Sequence, residues 1–190
     1  MRGDPCCVNQ RRKGLIQLET KIKLNDELAG AFADLTTGVY VLTVADADRI
    51  HGMSSSWVTQ VSGDPPLFSA AVDRQHFSHA VIVKTGCFAL NIVGSRGREL
   101  EDYFYSSPGR RSDNLADIDF ELSPMLALPW LIRSMTSIEA RVVGSHEAGD
   151  HTIFVAAPVG VRVRRSDRPL TSLDLDYVYL GGKTVLLRKS

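Results

Sequence analysis

Short apolar runs rich in β-branched residues, each closed by turn residues after roughly five to ten positions, recur along most of this sequence and confine it to β-structure. Val39 to Val44 follows Gly38, and Asp46-Ala47-Asp48 then reads as a turn. Gly52 to Val61 is predicted as one further strand, polar at first and then alternating. Asp64-Pro65-Pro66 ends it, because proline fixes φ and lacks the N–H that a central strand donates. Leu67 to Val72, Cys87 to Val93, Met135 to Gly144, His151 to Val163 and Tyr177 to Leu187 complete the strand candidates. Pro158 inside one of them predicts an edge, a bulge or a strand end. Helical periods are few and short. One runs from a cap at Asn25 or Asp26 to Leu35, one over Ser78 to Lys84, and one over Arg98 to Tyr105 with Leu100, Tyr103 and Phe104 inward. The expected class is all-β, a barrel with a few short helices outside.

The chain has 190 residues, enough for one barrel domain, here residues 23–190, with an expected flexible extension over residues 1–22. Lys+Arg and Asp+Glu both number 22, so there is no basic excess to bind nucleic acid. No apolar run approaches the roughly 20 residues of a membrane span, and no apolar stretch follows the basic N-terminus to make a secretory signal. The three cysteines, Cys6, Cys7 and Cys87, are an odd count that suits a reducing, cytoplasmic setting.

The dinucleotide and P-loop glycine patterns are missing, as are a G-x-S-x-G elbow and an H-E-x-x-H zinc motif. Gly181-Gly182-Lys183 reads as a β-turn. His76 and His79 have metal-ligand spacing, but no cysteine pair or carboxylate cluster lies near them, so no metal is expected. Three stretches carry chemistry instead. Gly52 to Ser62 offers hydroxyls at Ser54, Ser55, Ser56 and Thr59. Strand alternation would put Ser54 and Ser56 on one face and Ser55, Trp57 and Thr59 on the other. Asp73-Arg74-Gln75-His76-Phe77-Ser78-His79 leads from a strand into a helix start, where free N–H groups favour an anion. Gly149-Asp150-His151 is a turn that delivers a histidine to the head of an apolar strand.

Four stretches in this order resemble the flavin reductase-like proteins: Thr37-Gly38-Val39; Gly52 to Ser62 followed by Asp64-Pro65-Pro66-Leu67; Thr85 to Ile92; and Gly149 to Phe154. The resemblance covers about residues 24–185. It implies an FMN-binding split β-barrel of antiparallel Greek-key strands, usually a homodimer, with FMN or FAD held non-covalently. It also implies hydride transfer to that flavin from NADH or NADPH, with reduced flavin passed to a partner monooxygenase. By the same resemblance Ser54, Ser55, Ser56, Trp57 and Thr59 line the flavin, Asp73 and His76, Phe77, Ser78 and His79 approach its phosphate, and Asn91 lies on the following strand. His151 sits near the isoalloxazine and the nicotinamide. By residue type alone, and not by the resemblance, Arg74 is a candidate to add charge to the phosphate site, and Arg110, Arg111, Arg162, Arg164 and Arg165 are basic residues available to select NADPH. Gly109 to Ser112 is a loop able to cover the flavin. The alternative reading is a flavin-binding electron-transfer protein with no nicotinamide activity.

Overall fold

The computed structural model describes residues 25–47, 49–106, 115–164, 166–181 and 184–187. The expected extension over residues 1–22, the loop at 109–112, Arg110, Arg111 and Arg165 lie outside them. The elements run α1 (Asp26–Ala33), β1 (Tyr40–Asp46), β2 (Arg49–Ser55), β3 (Val58–Gly63), β4 (Pro66–Asp73), α2 (Phe77–Thr85), β5 (Cys87–Ile92), α3 (Arg98–Ser106), β6 (Phe120–Leu122), β7 (Pro129–Leu131), β8 (Thr136–Ala148), β9 (His151–Val163), β10 (Tyr177–Gly181) and β11 (Thr184–Leu187). The all-β expectation holds. Among the described residues no helix is long and apolar enough to cross a membrane.

Seven strands form one antiparallel sheet in the order β2-β1-β5-β8-β9-β4-β3. The two marginal strands, β2 and β3, are consecutive in the chain and are joined by Ser56 and Trp57 alone. Two residues span no more than about 11 Å between the flanking Cα atoms. Strands at opposite ends of a seven-strand order meet across that distance only if the sheet curls round on itself, so the short connection makes this sheet a barrel. Here the expected single strand over Gly52 to Val61 is corrected: it is two strands broken at Ser56 and Trp57, and the predicted alternation stops with it.

Val41, Leu42, Thr43 and Val44 of β1 are all buried, as befits a strand covered on both faces. Leu42 and Val44 point into the barrel with Phe68, Val72, Ile82, Phe88 and Phe154, while Val41 packs outward with Leu100 and Phe104 of α3. Pro66 opens β4, and Pro158 sits beside a register shift between β8 and β9, past Ala156 where the ladder with β4 ends. A proline there withholds no ladder hydrogen bond from β4. Strands β6 and β7, three residues each, are too short for a periodic signal. Gly86, at φ 68, terminates α2 in the left-handed region.

Candidate functional site

The seam between the barrel's margins opens onto a cavity of about 620 Å³. Its walls come from β2 and the linker (His51 to Trp57), from Asp73 at the end of β4, from His76 at the start of α2, from His151, from α3, and from the segment 175–180.

Trp57 is the centre of a ring cluster. Its centroid lies 4.7 Å from that of His151 and 5.5 Å from that of Tyr179. The main chain pins it, since Ala71 N donates to the Trp57 carbonyl at 2.9 Å. His151 reaches this cluster through the β8–β9 hairpin. Ala148 faces His151 in the ladder, and the two turn residues between them begin with Gly149 at φ 62, a conformation that glycine adopts without cost. His151 Nδ1 lies 2.7 Å from Asp150 Oδ1, which fixes the ring and holds the Asp150 carboxyl below the usual range. Arg74 braces the turn by donating to the Gly149 carbonyl at 2.7 Å. The guanidinium thus serves the hairpin rather than the cavity wall.

The α2 end of the cavity holds two histidines. His76 caps the helix by accepting from Ser78 N at its Nδ1, 3.2 Å away, so its proton sits on Nε2. His51 is fully buried, with Nδ1 3.1 Å from Ser78 Oγ and its ring 5.3 Å from that of His76. Its Nε2 is buried with no partner among the described residues. Burial first, and then the neighbouring His76, push its pKa down to about 4, so the imidazole is neutral at pH 7.

Glu101, 2% exposed, lines the same cavity from α3. Ser54 Oγ donates to its Oε2 at 2.5 Å and the Tyr177 hydroxyl to its Oε1 at 2.7 Å. Burial pushes the Glu101 carboxyl up, against the opposing pull of the two hydroxyls. It also raises the Tyr177 phenol, as does the bond to Glu101.

Of the residues singled out in the sequence, Ser54, Ser55, Ser56, Trp57, Asp73, His76 and His151 line this one cavity. Thr59 does not. The break at Trp57 carries it onto β3, where it is exposed on the outside of the barrel. Phe77 packs against the barrel core, and Ser78 is buried beneath His51. His79 faces Thr152, with Nε2 2.8 Å from its Oγ1. Asn91 is fully buried within the sheet, bonded to main chain and side chains of three other strands, β1, β7 and β8. His51 and Glu101, and with them Tyr105, Tyr177 and Tyr179, are cavity residues that sequence reasoning missed. Glu101 precedes the inward Phe104 by three positions, a helical spacing that marks it. Among the described residues no group of three His, Cys, Asp or Glu is arranged to hold a metal.

Gly52 tests how tightly the wall is built. A Cβ there would sit 2.6 Å from Phe104 Cε1. Gly52→Ala should cost about 1–3 kcal/mol of stability by overpacking. Chemical denaturation at constant m value checks this, and an unchanged midpoint would show that the Phe104 ring has room to move.

Fold and cavity define a small antiparallel β-barrel with a ring-lined binding cavity at its seam. The chain belongs to the flavin reductase-like domain family, whose sequence model matches residues 32–181. The flavin reductase (NADPH) of Lentzea aerocolonigenes is 34% identical over 137 residues, 70% of this chain and 77% of that one. The high molecular weight rubredoxin of Moorella thermoacetica is 28% identical over 143 residues, 74% of this chain but only 62% of that longer relative. Among solved structures, the nitrilotriacetate monooxygenase component B homologue of Mycobacterium thermoresistibile has a TM-score of 0.67 at 26% identity, over 74% of this chain and 78% of that one.

Proposed function

We propose that this protein is an NAD(P)H-dependent flavin oxidoreductase that binds FMN or FAD at the seam cavity and supplies reduced flavin to a monooxygenase. The observation that carries the reading is convergence. The hydroxyl-bearing end of β2, Trp57, the loop after β4 and the His151 turn come from separate parts of the chain and meet in one cavity. Family membership and the names of the relatives support it.

The cavity fits such a cofactor by its chemistry. A flat tricycle with polar edges needs aromatic walls, and Trp57, Tyr105, Tyr177 and Tyr179 provide them. It also needs hydrogen-bond groups without partners of their own, and His51 Nε2 is one. A bound flavin would supply the redox chemistry by accepting hydride from the nicotinamide. Ser54, Ser55, Ser56 and Trp57 would line the flavin, and Asp73 and His76 would approach its phosphate. His151, held by Asp150 and packed on Trp57, would orient the reacting rings. Val161 and Val163, exposed on β9, give the chain an apolar strip that a homodimer would cover. The odd cysteine count supports a cytoplasmic setting.

The test is a titration of purified protein with FMN and FAD, followed by nicotinamide oxidation with each flavin present. Flavin uptake with NADH or NADPH consumption is expected. Flavin uptake with reduction only by an external donor would assign an electron-transfer role, and no uptake at all would end the flavin reading. His151→Ala should lower kcat roughly 10- to 100-fold while flavin affinity changes little. An unchanged kcat would remove His151 from the reaction.

A further inference from the structure

We propose that Glu101 is a positioning residue that makes one corner of the cavity a pure hydrogen-bond acceptor. That corner would take a neutral donor group of the flavin, a side-arm hydroxyl or the ring N–H, and turn its phosphate away. The proposal rests on the flavin reading above and names which part of the ligand faces α3.

Glu101, Phe104 and Tyr105 follow helical spacing on α3 and all line the cavity. A buried carboxylate without partners is costly, so its two oxygens must be bonded. No described ion pair includes Glu101. Its partners are the two hydroxyls, one on each oxygen: Ser54 from the seam strand β2 and Tyr177 from β10.

A hydroxyl has a single hydrogen. Both hydrogens here point at Glu101. What Ser54 and Tyr177 have left for a ligand is lone pairs, and the carboxylate adds more. Three side chains from three elements therefore present acceptors and a negative charge, with no proton of their own to give. A phosphate is repelled there, and an N–H or O–H is bound. Without Glu101 the same two hydroxyls would be free to rotate and serve either polarity. The carboxylate removes that freedom before any ligand arrives.

Glu101→Gln keeps the shape and reverses the polarity. The amide can accept from one hydroxyl but must donate to the other, which then turns its hydrogen toward the cavity. Dissociation constants are measured by fluorescence quenching for wild type and variant with three probes. These are riboflavin, lumiflavin (which lacks the hydroxylated arm) and N3-methylriboflavin (which lacks the ring N–H). The variant should bind riboflavin about tenfold or more weakly. That loss should vanish for one of the two other probes: for lumiflavin if the donor is an arm hydroxyl, for N3-methylriboflavin if it is the ring N–H. Affinities within twofold of wild type for all three would overturn the proposal, and so would an equal loss on all three, which is the mark of a distorted cavity. Ser54→Ala, which removes one acceptor and leaves Glu101 in place, should show the same probe dependence. If Glu101→Gln does not fold, that variant alone decides by the same criteria. A wild-type protein that binds no flavin would sink the flavin reading and this proposal with it, whereas wild-type binding without the probe dependence sinks this proposal alone.

Discussion

Asn91→Leu is expected to destabilise the protein by about 3–5 kcal/mol, because it strips partners from several fully buried groups at once. Asn91 Nδ2 donates to the Val41 carbonyl at 3.2 Å and to Thr43 Oγ1 at 3.1 Å. Its Oδ1 accepts from Leu131 N at 2.9 Å and from Ser137 Oγ at 2.7 Å. These contacts tie β5 to β1, to the short strand β7 and to β8. A leucine fills the volume and leaves the Leu131 N–H with no acceptor. Urea denaturation should show a lower midpoint at an unchanged m value, and the folded fraction should bind flavin as the wild type does. A variant with an unchanged midpoint and lost flavin affinity would instead place Asn91 on the ligand.

The second large effect is acid sensitivity. His51 is neutral in the folded protein, with its pKa lowered from 6.5 to about 4. In the unfolded chain it takes up a proton below about 6.5, as free histidine does. Between these values the unfolded state binds the extra proton, so stability falls as pH drops from 6.5 toward 4. The gap corresponds to roughly 3 kcal/mol for a group buried this completely. His76, also lowered mainly by burial, acts in the same direction. Denaturation midpoints at pH 7 and pH 4.5 should separate widely for the wild type and less widely for His51→Gln. Equal separation in both would show that His51 does not carry the effect.

How much of this was readable beforehand depended on how local each cause is. β-Branched runs and proline breaks act within a few residues, so the strands around Val41, Phe68 and Phe88 were legible, and so was the turn that carries His151. The margin at Ser56 and Trp57 was not. Alternation continues through Ser55 on paper, and the break exists only because two strands far apart in the sheet order must be neighbours in the chain. The same cause moved Thr59 out of the site. His51 was not legible because β2 begins at Arg49, three residues before the Gly52 at which the hydroxyl-rich run signals a strand. Glu101 escaped because a carboxylate on an amphipathic helix is normally assigned to the solvent face, and its hydroxyl partners lie 47 and 76 positions away in sequence. Asn91 is a different case. Its residue type and strand matched the family resemblance, while the acceptors and donors that claim its amide come from β1, β7 and β8.

A connection of two residues between the sheet's margins leaves no slack. Any molecule resting against Ser56 and Trp57 leans on the stitch that keeps the cylinder shut, so occupancy should raise the melting temperature in proportion to the logarithm of ligand concentration. Lengthening that stitch by even one glycine would loosen the container and its contents together.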